Sequence, residues 1–194
     1  MPTIKDVARL AGASPGTVSA VLNEKPGVRP ELVKRVKDAM EALHYRPDYV
    51  ARSLRTKQTH SIGMVIPNIE NTFFAEMVRA VQDAARQARY FVTLCITNDD
   101  PSEEEGYLTR LSSRHVDGIL LATTFQHVAQ IPQPRWPCPL VLVDRCLPGG
   151  FQGDAVVINN VAAPYKGTRH LIEFGHTRIA VITGPPNIST ATGA

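Results

Sequence analysis

The 194 residues suffice for one ordinary domain or two small ones, and 43% hydrophobic content with a net charge of +3 is typical of a globular chain. Lys5, Asp6 and Arg9 interrupt any apolar signal segment near the start, and no run approaches the roughly 18 apolar residues of a membrane span. We therefore expect a cytoplasmic globular protein, and we exclude the membrane, fibrous and disordered classes.

Charge is unevenly distributed along the chain. Residues 1–60 contain 11 Lys and Arg against 6 Asp and Glu, whereas residues 61–194 contain 10 against 12. A basic N-terminal part before a faintly acidic remainder indicates a polyanionic partner, although a basic surface on a small domain is often merely solvated.

Chemistry-bearing motifs are sparse. Cys95, Cys138 and Cys146 form no CxxC pair, and we expect reduced, mostly buried thiols. The histidines show no metal spacing with them, so we predict no metal and no cofactor. The chain lacks a GxGxxG after a strand, a phosphate loop and a GxSxG elbow, and we do not expect an enzyme.

Three short helices are predicted in residues 1–46, which we call the head. Thr3 can cap the first within a capping box, and Gly12 ends it because the next turn needs a positive φ. Ser14 is a second N-cap, with Pro15 at the first helical position, where its missing N–H costs nothing. The third helix begins near Pro30. The predicted core comprises Val7, Ala8, Val18, Val21, Val36 and Met40.

The spacing of Ala8, Gly12 and Val18 is that of a helix-turn-helix. A small residue lets the helices approach, a glycine makes the turn, and an aliphatic residue packs the second helix on the first. A small helical bundle without a DNA role has the same three residues, but the charge favours DNA binding.

Beyond His60 apolar runs alternate with amphipathic stretches, which predicts a parallel α/β body. The segment 126–139 contains four prolines and is typical of a surface loop. The predicted strands are 62–66, 91–96, 118–122, 140–143, 155–158 and 179–183, and the predicted helices are 74–88, 103–113 and 165–174.

The string TIKDVARLAGASPGTVSAVLN closely resembles the opening of lactose-repressor/galactose-repressor (LacI/GalR) family regulators, and the match continues through ALHYRPDYVARSLRTKQTHSIGMVIPNIENTFFAEM. VDGILLAT, LVLVDR and HLIEFGHTRIAVITGP are later landmarks. The resemblance covers nearly the whole chain. It implies a sequence-specific transcription regulator of a palindromic double-stranded operator, by family default a repressor. For a complete chain it implies a homodimer under control of a sugar or related metabolite.

The resemblance also implies a domain organisation. Residues 1–46 match the helix-turn-helix domain and 47–59 the hinge helix and linker. Residues 60–160 match the first lobe of a periplasmic-binding-protein-like effector domain, and 161–194 match the start of its second lobe. Because family members continue beyond the closing GPPNISTATGA, we expect a chain cut within the effector domain.

The resemblance places the second helix in the major groove, with Pro15, Gly16 and Ala20 at the main base-reading positions. None of these side chains can donate a hydrogen bond, so thymine-methyl contacts and DNA deformability must carry more of the specificity. Ala20 is equally explained as a helix-favouring residue without a reading role. Candidates for phosphate or sugar contacts are Thr3, Lys5, Ser14, Thr17, Ser19 and Arg29.

Residues 47–57 resemble the hinge helix of the family, which is too short to be stable alone. The resemblance implies that it folds when two copies meet in the minor groove, where Leu54 enters a base step and kinks the duplex. Arg52, Arg55 and Lys57 supply charge nearby. The alternative is a solvated linker with one incidental leucine.

Effector candidates follow the predicted strands, because ligands of open parallel sheets bind beyond the carboxyl ends. The aromatic pair can instead belong to the core, and Asp144 can instead cap a turn. The candidates are Asn68, Phe73, Phe74, Thr123, Asp144 and Arg145. The body alone would also fit a soluble sugar-binding protein without a regulatory role, but the head argues against that alternative.

Overall fold

A computed structural model describes residues 2–46, 58–124, 137–147, 151, 153–184 and 189–192. The chain divides into two compact units, residues 1–56 and 57–194. Among the described helices, none combines the length and the apolarity that a bilayer crossing requires.

The first unit contains three helices, α1 (Ile4–Ala11), α2 (Pro15–Leu22) and α3 (Pro30–Ala42). The predicted caps at Thr3 and Ser14 are confirmed, because each side chain accepts a backbone N–H from the first turn of its helix. Val21 and Met40, predicted as core, are only partly buried and lie at its margin. The buried core of the head consists of Val7, Ala8, Ala11, Val18, Val36 and Ala39.

The second unit contains a five-stranded sheet whose paired strands are all parallel, which confirms the predicted α/β body. The strands are β1 (Ser61–Ile66), β2 (Phe91–Ile96), β3 (Gly118–Leu121), β4 (Leu140–Val143) and β5 (Asp154–Val156). Their order in the sheet is β2-β1-β3-β4-β5. The helices are α4 (Thr72–Gln87), α5 (Pro101–Ser113), α6 (Ala162–Glu173) and the short α7 (Ser189–Thr192).

The two faces of the sheet carry separate hydrophobic clusters. Successive strand residues point to opposite faces, so neighbours in β1 belong to different clusters. One cluster joins Val65 to Leu108 and Leu111 of α5. The other joins Met64 to Phe74 of α4. Helices on both faces give the strands the burial that parallel sheets need.

The predicted strand 179–183 is wrong. Residues 177–184 form no ladder with any described strand, and the side chain of Ile182 is fully exposed. An apolar β-rich run becomes a strand only when a neighbour satisfies its backbone groups, and the described part of the chain offers this run no such neighbour. The strand predicted at 155–158 is shorter than expected, and all of its residues are exposed.

Helices α4 and α5 begin earlier than predicted, because their N-caps were overlooked. Asn71 accepts the backbone N–H of Phe73, and Asp100 accepts that of Ser102 at 2.8 Å. Pro101 occupies the first position of α5, where proline is favoured. Asx caps therefore set both helix starts.

Candidate functional site

The turn between α1 and α2 depends on Gly12, which has a left-handed φ of 59°. The guanidinium of Arg35 on α3 donates from Nη2 to the carbonyl of Ala11 at 2.5 Å. A Cβ at position 12 would overlap that guanidinium. Gly12 is therefore favoured by the backbone conformation, and a side chain there would also displace the end of Arg35.

The first turn of α2 presents the predicted reading residues to solvent. Pro15 and Gly16 are exposed, and Ala20 on the next turn is half-buried. The Ser14 hydroxyl accepts the Thr17 backbone N–H at 3.1 Å, and the two hydroxyls lie 3.0 Å apart. A capped helix N-terminus carries partial positive charge, which suits a phosphate.

The remaining head candidates are spread along the surface. Asn23 donates from Nδ2 to the Ser19 hydroxyl at 3.3 Å, so that side chain is engaged within α2. The Thr3 side chain donates to Asp6 at 2.7 Å, and this bond holds the pKa of the Asp6 carboxyl below its ordinary value. Lys5 and Arg29 are exposed. Arg52, Leu54 and Arg55 lie outside the described residues.

The second group of candidates surrounds what we call the carboxyl edge, the segments that directly follow β1 to β4. Asn68 accepts the Glu70 backbone N–H there at 2.6 Å. The aromatic pair divides between two environments. Phe73 is 39% exposed, whereas Phe74 is 4% exposed and belongs to the core. The structure therefore places Phe74 in the hydrophobic core, which was the alternative interpretation of the aromatic pair. Phe73 remains accessible to solvent.

Arg145 joins several segments of the carboxyl edge. Its Nη1 donates to Asp99 Oδ1 and to the Thr123 carbonyl, both at 3.1 Å, and its guanidinium lies 6.0 Å from the centre of the Phe74 ring. Asp144 Oδ2 lies 4.0 Å from Arg145 Nε. Burial raises the pKa of the Asp144 carboxyl, and the nearby guanidinium opposes that rise. The structure thus brings four candidates together and makes Arg145 largely internal.

Glu104 is a buried acidic residue at this edge that sequence analysis missed. It lies on α5 with a fully buried side chain, and its Oε1 accepts the Thr123 hydroxyl at 2.7 Å. Its Oε2 accepts the backbone N–H of Thr124 at 2.5 Å and the Thr124 hydroxyl at 2.6 Å. Burial raises the pKa of Glu104, and these hydrogen bonds with the Arg145 charge oppose the rise.

A run of three glutamates concealed this residue, since acidic runs on helices are usually solvated. The signal that could have found it is helical spacing. Glu104 precedes the buried Leu108 and Leu111 by four and seven residues, so it lies on the apolar stripe of α5.

Some of the non-glycine residues with left-handed backbone lie at the carboxyl edge. Arg89 and His115 have positive φ where α4 and α5 end, which is ordinary helix termination. Asn98, Asp99 and Asp144 have positive φ where β2 and β4 end instead. Non-glycine residues in this conformation occur often at functional sites.

Two family models match the chain. The model for bacterial regulatory proteins of the lacI family matches residues 3–48. The model for periplasmic binding proteins and the sugar binding domain of the LacI family matches residues 59–194, which is more than half of the chain. The chain belongs to the LacI family.

A curated relative supports this membership. The chain is 40% identical over 189 residues to the ribose operon repressor of Escherichia coli strain K12, an alignment that covers 95% of this chain and 56% of that relative. The LacI-family chain described here thus spans about half the length of the curated relatives it matches.

Solved structures of the family share the fold. The lac repressor dimer bound to operator and the anti-inducer ONPF has a TM-score of 0.76 at 24% identity, covering 98% of this chain and 58% of that chain. The complex of the transcriptional regulator CelR with cellobiose has a TM-score of 0.59 at 30% identity, covering 100% and 58%. The predicted combination of a helical head and a periplasmic-binding-protein-like body is confirmed.

The described residues of this LacI-family chain contain no group of His, Cys, Asp or Glu that could hold a metal ion. None of its three cysteines is joined in a disulfide. Cys95 is buried and Cys138 half-buried, and burial raises the pKa of both thiols. Cys146 is exposed, so the expected burial fails at this position.

Proposed function

We propose that this protein is a sequence-specific DNA-binding transcription regulator, a repressor that binds a palindromic operator as a homodimer and responds to a small sugar-like effector. The observation that carries the proposal is the first turn of α2, where Pro15 and Gly16 are exposed beside a capped helix N-terminus. The 40% identity to a ribose operon repressor supports the regulatory role.

The α2 surface favours recognition by shape and methyl contacts. Its exposed first turn offers no side-chain donor at positions 15 and 16, and the Thr17 hydroxyl is within hydrogen-bonding distance of Ser14. We expect operator specificity to depend on thymine methyls and deformable base steps rather than on an Arg–guanine pair.

The carboxyl edge supports a neutral effector. The cation that the described residues supply there, Arg145, already contacts Asp99 and the Thr123 carbonyl. Asp144 and Glu104 add carboxylates that would repel a phosphate or carboxylate ligand. The family model that matches the body names a sugar binding domain, and CelR is solved with cellobiose.

We further propose that the chain has no catalytic activity and that it acts in the cytoplasm. We also propose that residues 47–59 connect a DNA-binding domain, 1–46, to an effector domain that begins at residue 60. The division of that domain at residue 160 into two lobes belongs to the same proposal. The name of the related ribose operon repressor supports the proposed lack of catalytic activity and the proposed cytoplasmic location.

The DNA-binding proposal is tested by selecting duplexes from a random library with the purified chain and measuring affinity for the selected palindrome by filter binding. Gly16→Glu places a carboxylate on the exposed turn, where it stabilises the helix N-terminus but repels phosphate. Gln82→Glu on the exposed face of α4 makes the same charge change elsewhere. We expect Gly16→Glu to weaken binding at least about tenfold and Gln82→Glu to leave it unchanged.

A chain that binds the selected palindrome no better than a scrambled duplex would contradict the proposal. If such a chain still bound D-ribose or cellobiose in calorimetry, the soluble sugar-binding alternative would replace it. If Gly16→Glu and Gln82→Glu lost equal affinity, the added charge would have a general effect, and α2 would not be the surface that reads the operator.

A further inference from the structure

We infer that Glu104 is a positioning residue of the effector site and that it orients the Thr123–Thr124 segment for a polyhydroxyl ligand. The inference rests on the proposed sugar response. In this inference, the buried Glu104 does not touch the ligand. It acts through Thr123 and Thr124 at the carboxyl edge.

The Thr123–Thr124 segment is held from two sides. Glu104 accepts hydrogen bonds from both threonine hydroxyls and from the Thr124 backbone N–H, at 2.7, 2.6 and 2.5 Å. Arg145 donates to the Thr123 carbonyl at 3.1 Å. These contacts join α5 and the end of β4 to the end of β3, so they fix that end against two neighbouring elements.

Only a carboxylate fits the Glu104 position well. Three donors converge on its two oxygens, and an ionised carboxylate accepts hydrogen bonds at both. A glutamine would turn its amide NH₂ toward at least one of the three donors. Because the position is 0% exposed, water cannot solvate a mismatched amide there, and weakening the hydrogen bonds of this buried group is destabilising.

The orientation of Thr124 links this arrangement to ligand chemistry. Its half-buried hydroxyl directs its proton to Glu104, so it presents lone pairs to anything beyond the carboxyl edge. A sugar hydroxyl can donate to such an oxygen. Ligands of open parallel sheets bind at this edge, and the left-handed Asp99 and Asp144 flank the same region.

The test measures D-ribose and cellobiose binding by titration calorimetry, with melting temperature and operator affinity recorded on each sample. Glu104→Gln removes the carboxylate, and Glu103→Gln makes the same change at an exposed position one residue earlier. Thr124→Val removes the hydroxyl while keeping the shape, and Thr124→Ser keeps the hydroxyl.

We expect Glu104→Gln and Thr124→Val to weaken binding of the sugar that the unchanged chain binds by about tenfold or more. Glu103→Gln and Thr124→Ser should stay within about twofold. Operator affinity without sugar should be unchanged in all four, since α2 belongs to the other compact unit. The rescue by serine distinguishes orientation of the hydroxyl from general loss of packing.

Unchanged sugar affinity in Glu104→Gln, or equal losses in Thr124→Val and Thr124→Ser, would overturn the inference while leaving the proposed function intact. If Glu104→Gln does not fold, the Thr124 pair decides. If the unchanged chain binds operator but binds neither D-ribose, cellobiose nor any other neutral sugar, the proposed sugar response and this inference are both overturned. The DNA-binding proposal would remain.

Discussion

A single glycine controls the turn on which the head depends. An L-residue at the φ of Gly12 is strained by about 1–2 kcal/mol, and the Cβ would also meet the Arg35 guanidinium. We expect Gly12→Ala to lower the free energy of unfolding of the head by at least that amount. Urea unfolding followed by circular dichroism measures the change.

Gly16 provides the matched control for this substitution. It lies in α2 without a positive φ, and a Cβ there would meet only Ser14 Oγ at 3.6 Å. Gly16→Ala should therefore be neutral or stabilise the head by up to about 1 kcal/mol. Equal destabilisation by the two alanines would show that neither the left-handed backbone nor Arg35 determines the cost.

We expect a second residue, Glu104, to make the stability of the body depend on pH. Its pKa is raised above the ordinary 4.5, so between that value and the raised one the folded state binds more protons than the unfolded state. The contribution of Glu104 to the free energy of unfolding is therefore fully present below about pH 4.5. It is lost as the pH rises from there through the raised pKa. We expect Glu104→Gln to remove that fall.

The urea midpoints of the unchanged chain and of Glu104→Gln are measured from acidic to neutral pH. The difference between the two midpoints is then compared across pH. Asp144 has a raised pKa of the same sign, but it is present in both chains and cancels. A difference between the two midpoints that does not vary with pH would contradict the prediction.

The elements that sequence analysis predicted well are those defined by short-range interactions. The caps at Thr3 and Ser14 and the proline at the start of α2 act within one helical turn, so their residues predict the helix starts directly. The strand prediction for 179–183 failed because a strand depends on a neighbouring strand that is often distant in sequence. Glu104 was missed for a related reason, since its partners Thr123 and Thr124 lie 19 and 20 residues away.

The packing of α5 on β1 depends on another glycine. A Cβ at Gly63 would lie 2.5 Å from Leu111 Cδ1, so this position allows the helix to approach the strand closely. Gly63→Ala should destabilise the body by about 1–3 kcal/mol through overpacking. The change is read from urea unfolding of the body, and a smaller residue at position 111 should recover part of it.

Gly106, within α5 itself, should respond in the opposite direction. A Cβ there would approach only Arg110 Nη2 at 3.9 Å, so Gly106→Ala should stabilise the body by about 0.5–1 kcal/mol. If both alanines changed stability in the same direction, close approach between α5 and β1 could not be the reason for Gly63.

At the scale of the whole molecule, the head and the body have separate hydrophobic cores. The two units divide the proposed work, since α2 carries the proposed DNA surface and the carboxyl edge carries the proposed effector surface. Residues 47–57 connect them and lie outside the described residues, so the role of Leu54 remains a prediction from the family resemblance. That role requires the whole assembly, because two hinge segments must meet on one operator.

Leu54→Ala should weaken binding to the selected palindrome by about tenfold and reduce the bend of the duplex. The physical reason is that a leucine wedge unstacks a base step and an alanine is too short to do so. Affinity is measured by filter binding, and bending is measured by gel mobility of operators placed at different positions along a fragment. Ser53→Ala, one residue earlier, is the control and should leave both values unchanged.

The head must remain folded for this comparison to hold, and Tyr45 is the last of the described residues that packs against its core. Circular dichroism of the variant should therefore match that of the unchanged chain. If Leu54→Ala binds and bends the duplex as the unchanged chain does, residues 47–57 act as a solvated linker, and specificity must then come from α2 alone. If affinity falls while the bend angle is preserved, Leu54 contacts the operator without kinking it, which also contradicts the wedge.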